Sequence, residues 1–155
     1  MSPQSAILAL ALTLAAPPAP PVNQIAAALD VHAKLIPHGD LVVLALDVNN
    51  GNAKSAVVFA DADVELVDRA GAAHTTEPLH PLITLQMQRQ LFDATHGTYY
   101  QGLHTIDNVI HGGNPDHFLG VFKKADFVSG RVKVRYYVPD YDQQPVIQKD
   151  FRLGN

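Results

Sequence analysis

Arg131-Val132-Lys133-Val134-Arg135-Tyr136-Tyr137-Val138 is the stretch on which the fold class turns. Val132, Val134, Tyr136 and Val138 alternate with Arg131, Lys133 and Arg135. That is the two-residue period of a strand with one face on a core and the other in water. Pro139-Asp140 ends the run, because proline cannot donate to a ladder. Towards the carboxy terminus, Ile147 to Leu153 reads as a last strand with Ile147, Phe151 and Leu153 inward.

The same period opens the body of the chain. Leu29, Val31, Ala33 and Leu35 alternate with Asp30, His32 and Lys34, and Pro37-His38-Gly39-Asp40 supplies a turn. Leu41 to Val48 is an almost unbroken apolar run of strand length that ends in Asn49-Asn50-Gly51-Asn52, so the two runs predict a hairpin. Ala56 to Phe59 is a further short strand, and Ala62, Val64 and Leu66 share one face opposite Asp61, Asp63 and Glu65 before the turn Asp68-Arg69-Ala70-Gly71. Strands at this spacing, without helical patterns between them, predict an all-β antiparallel sandwich.

Between Thr75 and Asp126 the pattern changes. Ile83, Leu85 and Met87 fit a strand, whereas Met87, Leu91 and Phe92, set among Gln86, Gln88, Arg89 and Gln90, fit a helix, which the composition favours. Frequent breaks at His96-Gly97, Gly102 and Gly112-Gly113-Asn114-Pro115-Asp116 predict a long, partly helical or irregular insertion over about residues 75–126. Excursions of that length in a compact domain often carry function.

The chain has 155 residues, 47% hydrophobic and 17% charged, enough for one domain with a core. Its net charge of −4 argues against a basic surface for nucleic acid. Cysteine is absent, which removes disulfides, thiolate metal sites, thiol nucleophiles and iron–sulfur clusters. No Lys, Arg, Asp or Glu occurs from Met1 to Leu29, and Ala6 to Ala15 is apolar. A run that short cannot span a bilayer, which takes about 20 residues, but it suits the core of a secretory signal. Ala15 and Ala16 then offer a cleavage region before Pro17-Pro18-Ala19-Pro20-Pro21. The usual basic residue ahead of the run is missing. The reading is a signal peptide and proline-rich spacer over 1–28, a single domain over 29–155, and a secreted or periplasmic protein without a transmembrane anchor.

Three stretches, Leu41 to Asn50, Asp63 to Gly71 and Ser129 to Pro139, resemble the small secreted immunoglobulin-like domains of bacterial exported proteins. The resemblance covers about half the chain and brings no catalytic residues with it. It implies an immunoglobulin-like sandwich, an exported setting and a role in adhesion, scaffolding or ligand presentation.

Histidine is the unusual residue: His80, His96, His104, His111 and His117, five of eight, fall in the middle segment, with His74 directly before it. A cysteine-free protein would hold zinc or copper through imidazoles and carboxylates. His111 and His117, which flank Gly112 to Asp116, together with Asp116 and His104, are the candidate ligands, although no spacing motif joins them. Asp61-Ala62-Asp63-Val64-Glu65 begins like a calcium loop, but Leu66 stands where glycine is required. The ladders Asp61, Asp63, Glu65 and Arg131, Lys133, Arg135 read as solvent faces, which cross-strand ion pairs would favour if the strands are neighbours. After the leader only Ser55 and Ser129 remain as serines, neither in a nucleophile elbow, and phosphate-loop and dinucleotide fingerprints are absent. Tyr99 and Tyr100 are candidate partner-binding aromatics, while Tyr136 reads as core and Tyr137 as outward. The expectation is a non-catalytic module without cofactor that acts by protein–protein association or self-association through the middle segment; the alternative is a zinc- or copper-binding protein.

Overall fold

A computed structural model describes residues 22–52, 55–78, 81–137 and 145–154, with backbone alone at Val22 and Asn23. His80, Tyr141, Val138 to Asp140 and the apolar leader lie outside the described residues. In chain order the elements are α1 (Val22–Ala28), β1 (Leu29–His38), β2 (Leu41–Asn50), β3 (Ala56–Phe59), β4 (Val64–Asp68), β5 (Ala73–Thr75), α2 (Pro81–Ala94), β6 (Gln101–Gly102), β7 (Asn108–His111), β8 (Pro115–Lys123), β9 (Phe127–Tyr137) and β10 (Val146–Gly154). α1 occupies the end of the stretch expected as spacer, and its Ile25 is buried in the core.

The chain is mostly strand, and the described strands join in one curled sheet with the order β5-β4-β9-β10-β1-β2-β8-β6. β9 divides its partners: Phe127 to Val132 pairs with β4, and Arg135 to Tyr137 pairs with β3, which also pairs with β7. The hairpin of β1 and β2 is as expected, Leu29 facing Asn50 and His38 facing Leu41. Pairing is not antiparallel throughout: β1 runs parallel to β10 and β6 parallel to β8. The first of these joins strands from opposite ends of the described chain, so no tight turn dictates their relative direction.

Curling the sheet encloses one core. Leu29, Val31, Leu44, Leu46, Phe59, Leu66, Phe118, Phe122, Val134 and Phe151 all point into it, and the Phe59 and Phe118 rings meet edge to face at 5.3 Å. α2 covers the opposite, outer face of β2 and β8, where Met87 and Leu91 pack on Val43, Ala45, Leu119 and Val121. β2 and β8 are therefore buried on both faces, which explains their continuous apolar runs. The expected insertion is corrected here. Its helix is present as α2, but Phe118-Leu119-Gly120-Val121-Phe122 is the middle of β8, a strand hydrogen-bonded along its length to β2.

Asn50 ties the curl together. Its Nδ2 donates to the carbonyls of Ser55 and Ile110, both at 3.2 Å. Its Oδ1 accepts from the Asn52 backbone at 3.1 Å and the Asn52 side chain at 3.0 Å. The Gly113 N–H donates to its backbone carbonyl at 2.6 Å, and Gly113 holds the left-handed φ of 80° that the β7–β8 turn requires. One buried amide thus joins the end of β2 to the start of β3 and to β7.

Gly130 on β9 lies opposite Phe151 of β10 and Leu66 of β4. A Cβ there would overlap the Phe151 ring and stand 3.1 Å from the Glu65 carbonyl oxygen. Phe151 is buried and has no solvent to retreat into. Gly130→Ala is expected to destabilise the fold by about 1–3 kcal/mol, read as a lower urea midpoint at unchanged slope. An unchanged midpoint would contradict this packing.

Candidate functional site

Two surfaces gather the side chains with chemistry to offer. The first is the uncovered end of the outer face of β1, β2 and β8, beyond the reach of α2. Residues directly opposite in an antiparallel pair share a face, so the register His32–Asp47 between β1 and β2, and Asp47–His117 between β2 and β8, sets His32, Asp47 and His117 in one row across three strands. Asp30, two residues from His32, lies on the same face, and its Oδ2 is 2.9 Å from His32 Nε2.

His117 Nδ1 stands 2.7 Å from Asp47 Oδ1. An ionised carboxylate only accepts, so the His117 Nδ1–H is the donor in this contact. Tyr100 packs its ring against that of His117, centroids 5.1 Å apart, while its body sits in the layer under α2. Burial first, then the hydrogen bond to Asp47 and the charge of that carboxylate, push the Tyr100 phenol above its ordinary range. The Tyr100 ring thus sits beside the Asp47–His117 pair.

The second surface is the outward face of β3, β7 and β9. Ala56, Val58, Val109 and Tyr137, with Ser55, His111 and Gly112 at one end, line an open groove of about 530 Å³. Val109 and Tyr137 are each nearly half exposed. Among the described residues no Asp, Glu, Lys or Arg lines it. The neighbouring charges, Arg135 of β9 and Asp107, are engaged with each other.

The expected site residues are dispersed over the fold. His111 closes β7 inside the groove. His117 lies on the outer face with Asp47. Asp116 faces Val48 on the alternate face of β8. His104 is exposed between β6 and β7, its carbonyl accepting from the Asp61 N–H at 2.9 Å. Among the described residues no three His, Asp or Glu side chains already converge as metal ligands. Of the two tyrosines, Tyr99 is exposed and Tyr100 buried. His74 is engaged elsewhere, 2.8 Å from Asp68; this contact, with the Ala72 N–H, holds the Asp68 carboxyl below its usual range. Glu65 does face Arg131 across β4 and β9 as an ion pair.

Asp47 and His32 are not marked as site residues by the sequence alone. The signal for Asp47 is present, since it is the one acid inside the apolar run Leu41 to Val48. His32 needs the register of two strand pairs, which no local pattern contains.

No family model, curated protein or solved structure matches the chain. Among the described residues no helix is long and apolar enough to cross a membrane.

Proposed function

We propose that this chain is an exported, non-catalytic association module that pairs with a second copy of itself through the outward face of β3, β7 and β9. One observation carries the reading: a groove of about 530 Å³ with apolar walls and, among the described residues, no charged lining in a chain of net charge −4. Two copies carry the same net negative charge, and this patch, with no charged lining among the described residues, is a place where they can approach without like charges meeting. The patch holds both parts of a self-complementary contact. Val109 and Tyr137 project from it and the groove runs beside them, so a two-fold axis seats the projections of each copy in the hollow of the other. Such a contact is closed, which favours a dimer over open assembly.

The immunoglobulin-like resemblance supports a role in binding without catalysis, and the apolar leader supports a setting outside the cytoplasm. Neither requires a cofactor. β7 belongs to the middle segment in which the sequence reading expects the contact surface.

Sedimentation velocity over a concentration series tests the proposal. The chain is expected to shift from monomer to dimer as concentration rises, and Val109→Glu, which puts a charge on each side of the axis, is expected to stay monomeric with an unchanged far-ultraviolet dichroism spectrum. A monomer at every concentration, or a dimer that survives Val109→Glu, would overturn it.

A further inference from the structure

We propose that the outward face of α2 is a docking surface for a bilayer of anionic phospholipid. The surface is separate from the association groove and does not depend on it. Helical spacing carries the argument. Thr84, Met87 and Leu91, spaced by three and four residues, are buried on one side of α2, where Met87 and Leu91 pack on the sheet. Leu82, Leu85, Arg89 and Phe92, spaced by three, four and three, form a second row on the opposite side, and all four are exposed. Leu82 is 84% exposed and Leu85 65%, so the core of the chain has no place for either. A helix with one face on a core ordinarily turns polar residues to the other; α2 presents three large apolar side chains there instead. Tyr99 lengthens the row. Its hydroxyl accepts from Gln88 Nε2 at 3.1 Å, and Gln88 neighbours Phe92 one turn on, so the exposed Tyr99 ring lies along the Phe92 end of the helix.

Charge selects the occupant. Arg89 lies within the apolar row, and a lysine stands near each end of the helix. Lys34 of β1 lines a hollow with Gln90, Leu91 and Ala94 of α2. Lys123 of β8 is 3.9 Å from Glu77, four residues before α2 begins. Both lie on the sheet face that α2 covers, Lys34 opposite Ala45 and Lys123 opposite Leu41. Among the described residues Lys34 and Arg89 sit in no ion pair. Asp93 and Glu77 oppose these cations, which outnumber them around α2. An apolar row edged by exposed cations, on a helix lying along a surface, suits the boundary between headgroups and acyl chains. Leu82, Leu85 and Phe92 enter the acyl layer, the Tyr99 ring sits at headgroup level, and Arg89 and Lys34 extend their stems to the lipid phosphates. A protein partner would need a groove shaped to receive this projecting row, whereas acyl chains yield around it.

The test is flotation of the untagged full chain with vesicles of phosphatidylglycerol and phosphatidylcholine in equal parts, and with vesicles of phosphatidylcholine alone. The parent is expected to bind the mixed vesicles much more tightly than the neutral ones. Leu85→Glu combined with Phe92→Glu is expected to weaken that binding by at least about tenfold, since two large apolar side chains leave the acyl layer. Val146→Glu, a similar change at an exposed position on β10, is expected to leave it unchanged. Far-ultraviolet dichroism checks that each variant is folded. A local readout separates α2 from the apolar leader. The chain has no cysteine, and a nitrobenzoxadiazole dye on Leu82→Cys is expected to shift its emission to the blue when mixed vesicles are added, whereas the same dye on Val146→Cys is expected not to. Absence of binding by the parent, equal binding to both kinds of vesicle, undiminished binding by the double variant, an equal loss with Val146→Glu, or equal dye shifts at the two positions would each overturn the proposal.

Discussion

Phe118→Ala is expected to lower the free energy of unfolding by about 4 kcal/mol. The Phe118 ring is fully buried, meets Phe59 edge to face, and belongs to the central core. It projects from β8, which is paired along its length with β2 and covered on its other face by α2. A cavity at that point cannot close by collapse, because both neighbouring layers are fixed by backbone hydrogen bonds. The measurement is urea unfolding followed by far-ultraviolet dichroism. A loss below about 1 kcal/mol, the size typical of surface substitutions, would contradict the place of β8 in the core.

Asn50→Ala is expected to cost about 3 kcal/mol, although it removes less volume than Phe118→Ala. The change leaves the Ser55 and Ile110 carbonyls without the Asn50 amide, and leaves the Asn52 side chain with only its bond to the Ile25 carbonyl. A buried acceptor left unpaired costs about 1–3 kcal/mol, and two are exposed to that penalty here. Asn49→Ala, one residue away and outward, is expected to be nearly neutral. Asn50→Asp keeps the acceptor but has no amide to donate, so it is expected to resemble the alanine variant rather than the parent. If Asn50→Ala were as stable as Asn49→Ala, the end of β2 would not be what holds β7 in place.

Local alternation made the strands covered on one face legible. β1, β9 and β10 each have one face in the core and one in water, and the period of two shows directly in Leu29 to Leu35 and Val132 to Tyr136. β8 escaped because both its faces are buried: a doubly covered strand has no alternation, and Gly120 within it resembles a break. Glycine is there for space, since a Cβ would press on the side chains of Leu103, Phe122 and Thr76. The acidic run Asp61 to Asp63 likewise reads as strand by alternation but forms a single 3-10 turn, in which Asp63 accepts from the Ala60 N–H at 2.8 Å. The parallel pairing of β1 with β10 and the row His32–Asp47–His117 depend on register between distant segments. Each segment shows which residues face outward, and only the pairing shows which outward residues meet.

The proposed contact between copies at the β3–β7–β9 groove is tested most directly by chemistry that the chain otherwise lacks. Because it contains no cysteine, a single Val109→Cys substitution places one thiol beside the proposed two-fold axis, and Leu82→Cys places a more exposed thiol on the outer side of α2. Treated with a short bismaleimide at equal concentration, Val109→Cys is predicted to give covalent dimer rapidly and Leu82→Cys to remain largely monomeric. Equal rates for the two variants, or faster coupling through Leu82→Cys, would contradict the account.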